Sequence, residues 1–140
     1  MNESTDSASE HFQARSSRVG AEYELRVVQW LTDQGWTILG RKVRHPSGIE
    51  LDVLAIDLAG RRVGVECKGG DDGRPGLRRS DNIWKVLGQT LVLHNWNRAH
   101  PDQAVRFVCI TSAQPADDER LASPLRVAEA NGQLTIVVVP

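Results

Sequence analysis

The chain has 140 residues and a formal net charge of −1, enough for one modest domain with a real core and no room for two. So balanced a charge excludes a global electrostatic pull toward nucleic acid, and any such binding must come from a local patch. No apolar run approaches the roughly 20 residues of a membrane helix, and the polar N-terminus lacks a signal-peptide core; these features predict a cytoplasmic protein with no membrane partner.

Residues 1–17 are rich in Ser, Glu, Asp and Asn with almost no apolar residue, which predicts a disordered lead-in and a domain over 18–140. A helical pattern follows over 18–34, ended by Gly35. Ala21, Leu25, Val28, Leu31 and Thr32 form its apolar stripe. Glu24 falls into that stripe, stacked with Val28 and Leu31, whereas Glu22 lines up with Arg26, Gln29 and Asp33. Glu24 is therefore expected to point inward and Glu22 to be solvated. A short strand is predicted over 36–40, followed by the basic residues Arg41, Lys42, Arg44 and His45 and a Pro46-Ser47-Gly48 turn. This cluster is a candidate phosphate-contacting patch, although each residue taken singly also suits a solvated loop.

The stretch 49–68 organises the rest. Two β-branched runs, 49–56 and 62–68, flank the turn Asp57-Leu58-Ala59-Gly60-Arg61 and read as a hairpin. Side chains alternate along a strand, so Glu66 and Lys68 share one face and Val65 and Cys67 the other, while Asp52 shares its face with Glu50 and Leu54. Pairing the strands can bring Asp52, Glu66 and Lys68 to one sheet edge. Two carboxylates and an amine on an apolar sheet are costly unless neutralised. A divalent metal would do this, and oxygen-only ligands favour magnesium or manganese over zinc. A plain ion pair between Glu66 and Lys68 on a half-exposed face is the alternative reading. Cys67 and Cys109 both sit in apolar runs, where reduced, buried thiols are expected. The four histidines share no metal-ligand spacing.

Residues 69–79 form a Gly-rich loop in which Arg74, Arg78 and Arg79 can reach phosphates; its spacing is not that of a P-loop. Ser80 can cap a helix over 81–96 with Ile83, Leu87 and Leu91 as its core stripe. Lys85 and Gln89 lie one turn apart on another face, either as surface residues or at the edge of a site. Trp84 and Trp96 are read as packing residues rather than base-stacking platforms. A strand over 105–111, a helix over 123–130 with Pro124 at its first position, an Asn131-Gly132 stop and a strand over 134–139 complete the pattern. The expected class is α/β, a central mixed β-sheet flanked by α-helices.

An inward Glu on a helix, an Asp on a strand and Glu-x-Lys on its hairpin partner, in this order, resemble the PD-(D/E)XK nuclease superfamily. This is the restriction-endonuclease-like fold of restriction enzymes, Holliday-junction resolvases and related repair nucleases. The matching text is Glu24 in Gly20-Ala21-Glu22-Tyr23-Glu24-Leu25, Asp52 in Gly48-Ile49-Glu50-Leu51-Asp52, and Glu66-Cys67-Lys68. The spacing of Glu24 ahead of Gly35 also resembles that of resolvases and small modified-DNA restriction domains. Leu51 stands where the family name has Pro, and Glu50 is an additional acid. The resemblance covers residues 18–96. It implies that Asp52 and Glu66 bind Mg²⁺, with Mn²⁺ as a substitute, helped by the Cys67 carbonyl. It also implies that Glu24 holds a water beside the metal and that Lys68 orients or helps deprotonate the attacking water. Gln89 and Lys85 resemble the helix residues that finish this site in some relatives.

The implied function is a metal-dependent DNA endonuclease. With nothing beyond the catalytic core, recognition of DNA structure, ends or modification is expected ahead of a long sequence. A homodimer and a protein partner that supplies targeting are both compatible with this reading. RNA would meet the same metal chemistry. The reading from another class is a binding or scaffold module that keeps the nuclease fold without catalysis.

Overall fold

A computed structural model describes the backbone of residues 3–70, 77, 80–113 and 119–140, and the side chains of 18–70, 77, 81–113 and 123–140. Five strands form one sheet in chain order: β1 (Thr37–Arg44), β2 (Glu50–Ile56), β3 (Arg62–Lys68), β4 (Arg106–Thr111) and β5 (Thr135–Val138). The first three make an antiparallel meander, and β4 and β5 each add in parallel. Parallel neighbours need a crossover, supplied by α2 (Ser80–Ala99) and α3 (Glu119–Ala130). Both crossovers step in the same direction, so a common hand sets both helices on one face. The other face is covered by α1 (Glu3–Asp33). The expected α/β class, a mixed sheet flanked by helices, is the one observed.

Each face has its own core. Under α1, Tyr23, Val27 and Leu31 pack on Val53, Ala55, Val63, Val65, Val108 and Ile110. Under α2 and α3, Ile83, Val86, Leu93, Leu125 and Ala128 pack on Leu51, Val105, Phe107, Cys109 and Leu134. Each fully buried aliphatic side chain contributes about 1.5–3 kcal/mol. Asn97 locks α2 to the start of β4, donating from Nδ2 to Val105 O at 2.7 Å and accepting Val105 N–H at Oδ1 at 3.0 Å.

Local chemistry ends the elements where the sequence predicts. Gly35 and Gly132 both have positive φ and close Schellman motifs. At the first, Gly35 N bonds Thr32 O and Trp36 N bonds Leu31 O; at the second, Gly132 N bonds Glu129 O and Gln133 N bonds Ala128 O. In the β2–β3 turn Asp57 Oδ1 accepts from Ala59 N and Arg61 N, and Oδ2 accepts from Arg61 Nε.

Several expectations are corrected. The apolar face of α1 is Val19, Tyr23, Val27 and Leu31; of the predicted stripe Leu31 is buried and Val28 packs against the same core, while Ala21 and Thr32 are exposed and Leu25 is 53% exposed. The Tyr23 hydroxyl is satisfied within the fold, donating to Val139 O at 2.7 Å. The described backbone from Glu3 is helical, over residues for which the sequence predicts a lead-in. No Pro or Gly interrupts the sequence before Gly20, and a helix nucleated by a docked turn extends at little further cost. β1 continues to Arg44, so the basic residues lie on an edge strand rather than in a loop, where charged side chains are tolerated. The buried residues of α2 are Ile83, Val86, Thr90 and Leu93, while Leu91 and Trp84 are mostly exposed. Trp96 packs as expected, edge-on to His45 and stacked on His100. Pro124, expected at the first position of its helix, lies inside α3. Among the described residues, no helix is long and apolar enough to cross a membrane.

Tyr23→Phe removes one hydrogen bond while keeping the ring, and should cost about 1 kcal/mol in urea unfolding. The hydrogen bond from the Arg61 N–H, reinforced by Ala59 N–H and the Arg61 side chain, holds the Asp57 carboxyl below its ordinary range. Its contribution is then full above the unfolded-chain value of about 3.9 and is lost as pH falls through the lower folded value. Asp57→Asn should reduce stability at neutral pH and flatten the acid side of the stability–pH curve.

Candidate active site

The β2–β3 ladder runs from Ile56–Arg62 to Val53–Val65. One residue further, the Cys67 N–H donates to Asp52 Oδ2 at 2.9 Å. Past this point β2 stops alternating between the cores. Val53 packs under α1 and Leu51 under α2. Leu51 fits there because Gly64 of β3 leaves it room: a Cβ at that position would lie 2.7 Å from Leu51 Cδ2. The side-chain bond pins Asp52 beside the segment Glu66-Cys67-Lys68. Lys68 Nζ lies 3.1 Å from Glu66 Oε1, with the lysine side chain 13% and the glutamate 4% exposed. Burial, and then the Asp52 charge, push the Glu66 carboxyl above the ordinary carboxylate range; Lys68 and Lys85 pull the other way. The structure therefore brings Asp52, Glu66 and Lys68 to one end of the β2–β3 pair.

Glu24 joins from α1. It is buried, as expected, and Glu22 is exposed. Its partners are two of the three β1 residues assigned to phosphate contact: Arg41 Nη2 lies 3.2 Å from Oε1 and Lys42 Nζ 2.9 Å from Oε2. Lys42 Nζ also lies 3.0 Å from Asp52 Oδ1. Burial works against the Lys42 charge, and hydrogen bonds to Glu24 and Asp52 more than offset it, raising the amine above its ordinary range. Lys42 adopts φ 51°, a left-handed conformation costing a β-region lysine about 1–2 kcal/mol. Arg41 and Lys42 thus form part of the carboxylate network rather than a free basic loop.

The other predicted residues fall around this centre. Arg44 is exposed and donates to Gly48 O at 3.1 Å. His45 leaves the basic patch: burial, and then His100, lower its pKa, and its Nδ1 accepts the Ser47 N–H. Lys85 on α2 is exposed and near enough for its charge to act on Glu66. On the same helix Gln89 has a buried Oε1 without a hydrogen-bond partner, an acceptor left open at the site's margin. Cys67 gives Asp52 its N–H while its thiol packs under α1. Burial pushes the Cys67 and Cys109 thiols far up, so neither is a thiolate nucleophile. Arg74, Arg78 and Arg79 lie outside the described residues. A cleft of about 650 Å³ lined by Arg61, Arg62, Asn97, Gln103 and Arg106 contains none of the acids discussed here; it sits at the opposite end of β3, about 20 Å away by strand rise.

The donor set suits a hard divalent cation: carboxylate oxygens, with cysteine sulfur turned away. Among the described residues, however, no three His, Cys, Asp or Glu side chains converge closely enough to hold a metal in this arrangement. The expected meeting of Glu24, Asp52 and Glu66 is thus replaced by lysine links. Lys42 joins Glu24 to Asp52, and Lys68 holds Glu66. The Lys42 ammonium, between the buried Glu24 and half-buried Asp52 carboxylates, occupies a place that suits a cation.

Removing Lys68 would leave a buried carboxylate unpaired, and Lys68→Met should cost about 3–5 kcal/mol. Chemical denaturation should show the deficit shrinking as pH falls through the raised Glu66 value, because protonation removes the unpaired charge. Glu66→Gln added to Lys68→Met should restore most of the lost stability.

No family model matches the chain. It is similar to a "UPF0102 protein" of Aquifex aeolicus (strain VF5), 46% identical over 52 residues, which cover 37% of this chain and 48% of that protein. The matched part thus spans about half the length of this relative. Among solved structures it is similar to a chain in "Structure of EndoMS-dsDNA2 complex", with a TM-score of 0.45 and 18% identity over 75% of this chain and 37% of that chain.

Proposed function

We propose that the chain is a metal-dependent DNA endonuclease that hydrolyses phosphodiester bonds. The observation that carries this reading is Asp52 held by the Cys67 N–H, between the two residues Glu66 and Lys68. Such a placement joins an oxygen donor pair to a buried amine at one strand end, as the PD-(D/E)XK resemblance implies. Asp52 and Glu66 would hold Mg²⁺ or Mn²⁺, with Glu24 next to them. The ion supplies charge neutralisation of the scissile phosphate and acidification of water. Lys68 is fixed by Glu66 where it can orient the attacking water and donate to the developing charge. Gln89 Oε1 can accept a proton-bearing group at the same margin, and Lys85 and Arg44 are exposed cations for flanking phosphates. By the same resemblance the substrate is set by DNA structure, ends or modification ahead of a long sequence, and a homodimer or targeting partner would supply further selectivity.

The Lys42 bridge favours a second reading, a DNA-binding module of nuclease fold in which lysines neutralise the acids for good. Cleavage of linear, nicked, branched and modified DNA with Mg²⁺ or Mn²⁺ separates the two. Wild type should cut, Asp52→Asn should not, and Lys68→Ala should be slowed about 10²–10⁴-fold while retaining its circular-dichroism spectrum. DNA binding without cutting under every metal condition would select the second reading; equal cutting by all three proteins would expose a contaminant.

A further inference from the structure

Two lysines neutralise the carboxylates, and they are held differently. Lys68 is 13% exposed against Glu66, boxed in by the sheet. Lys42 is 56% exposed, although its ammonium touches Glu24 and Asp52 at once. Arg41 pairs with Val53 and Val43 with Leu51, so Lys42 stands directly across the β1–β2 ladder from Asp52. Its positive φ is unique among the described non-glycine residues. Nothing intrinsic to lysine favours that conformation, so the contacts at its two ends maintain it. The cation is therefore gripped by one oxygen from each of two acids on different elements, while its stem lies open to water. It can leave without crossing the core.

Resting on the reading that Asp52 is a metal ligand, we propose that Lys42 is an internal competitor for the divalent ion. Its ammonium occupies Asp52 Oδ1 and Glu24 Oε2 in the metal-free protein and must swing outward for a metal to enter. Affinity for divalent ions is therefore lower than the carboxylates alone would give. A 2+ ion displaces a 1+ group from the same oxygens, and the strained backbone at Lys42 loses the contacts that hold it. Loading should thus be accompanied by a local rearrangement of β1. Arg41 stays on Glu24 Oε1, so Glu24 keeps one cationic partner through the exchange.

Isothermal titration of Mn²⁺ into wild type, Lys42→Met and Lys42→Met/Asp52→Asn tests this. Lys42→Met should bind Mn²⁺ at least tenfold more tightly than wild type, and Asp52→Asn should abolish the gain. Equal or weaker binding by a folded Lys42→Met protein overturns the proposal. Should that variant not fold without metal, the wild type supplies the answer: with ¹⁵N-labelled lysine, the Lys42 ammonium resonance should move on Mg²⁺ saturation. An ammonium signal unchanged at saturation refutes displacement. DNA cleavage by wild type without a gain in Lys42→Met would reject the competitor and leave the nuclease reading intact. A gain in metal binding without cleavage by any variant would do the reverse, and absence of both would remove the two together.

Discussion

The hydrogen bond from the Cys67 N–H to Asp52 Oδ2 marks where sheet gives way to site. In an uninterrupted ladder a carbonyl of β2 would accept at this level; a carboxylate does so instead. The substitution frees β2 to turn Leu51 under Gly64, and it fixes one acid relative to the residues on either side of Cys67. Past the end of its ladder with β2, β3 stays paired in parallel with β4 as far as Lys68. The position of Asp52 beside Cys67 thus rests on a backbone N–H.

Charge balance then decides which neighbours the acids can have. Glu24, Asp52 and Glu66 meet Arg41, Lys42 and Lys68, so the cluster carries little net charge although much of it is buried. Buried ion pairs of this kind return little stability, because desolvation offsets most of the attraction. A hydrophobic edge would serve the fold equally well. Six charged groups thus sit together at one end of a small sheet.

Much of this was legible in the sequence where a local rule decided the outcome. The hairpin around Asp57–Gly60, both helix stops at glycine and the inward side of Glu24 follow from turn chemistry and periodicity. Periodicity alone does not place Tyr23 on the buried face of α1, because its hydroxyl partner, Val139 O, is 116 residues away. The basic cluster was read as solvent-facing because nothing local tells that Lys42 faces Asp52 across a ladder. Likewise the exposed side of α2 depends on where the crossover sets the helix on the sheet, which short-range patterns do not encode.

Strand order has a consequence for how the protein is made. Glu24, Lys42, Asp52, Glu66 and Lys68 all lie ahead of residue 70, and β1–β3 form a meander of near neighbours. During synthesis the acids and their lysine partners therefore leave the ribosome before α2 or α3 exists. At that stage the α1 face still lacks Val108, Ile110 and the Val139 carbonyl, and the face bearing Gly64, Leu51 and Leu54 lacks its helices. The nascent chain holds every charged group of the centre while half of its apolar support is still missing, and this interval is when it depends most on shielding from other chains.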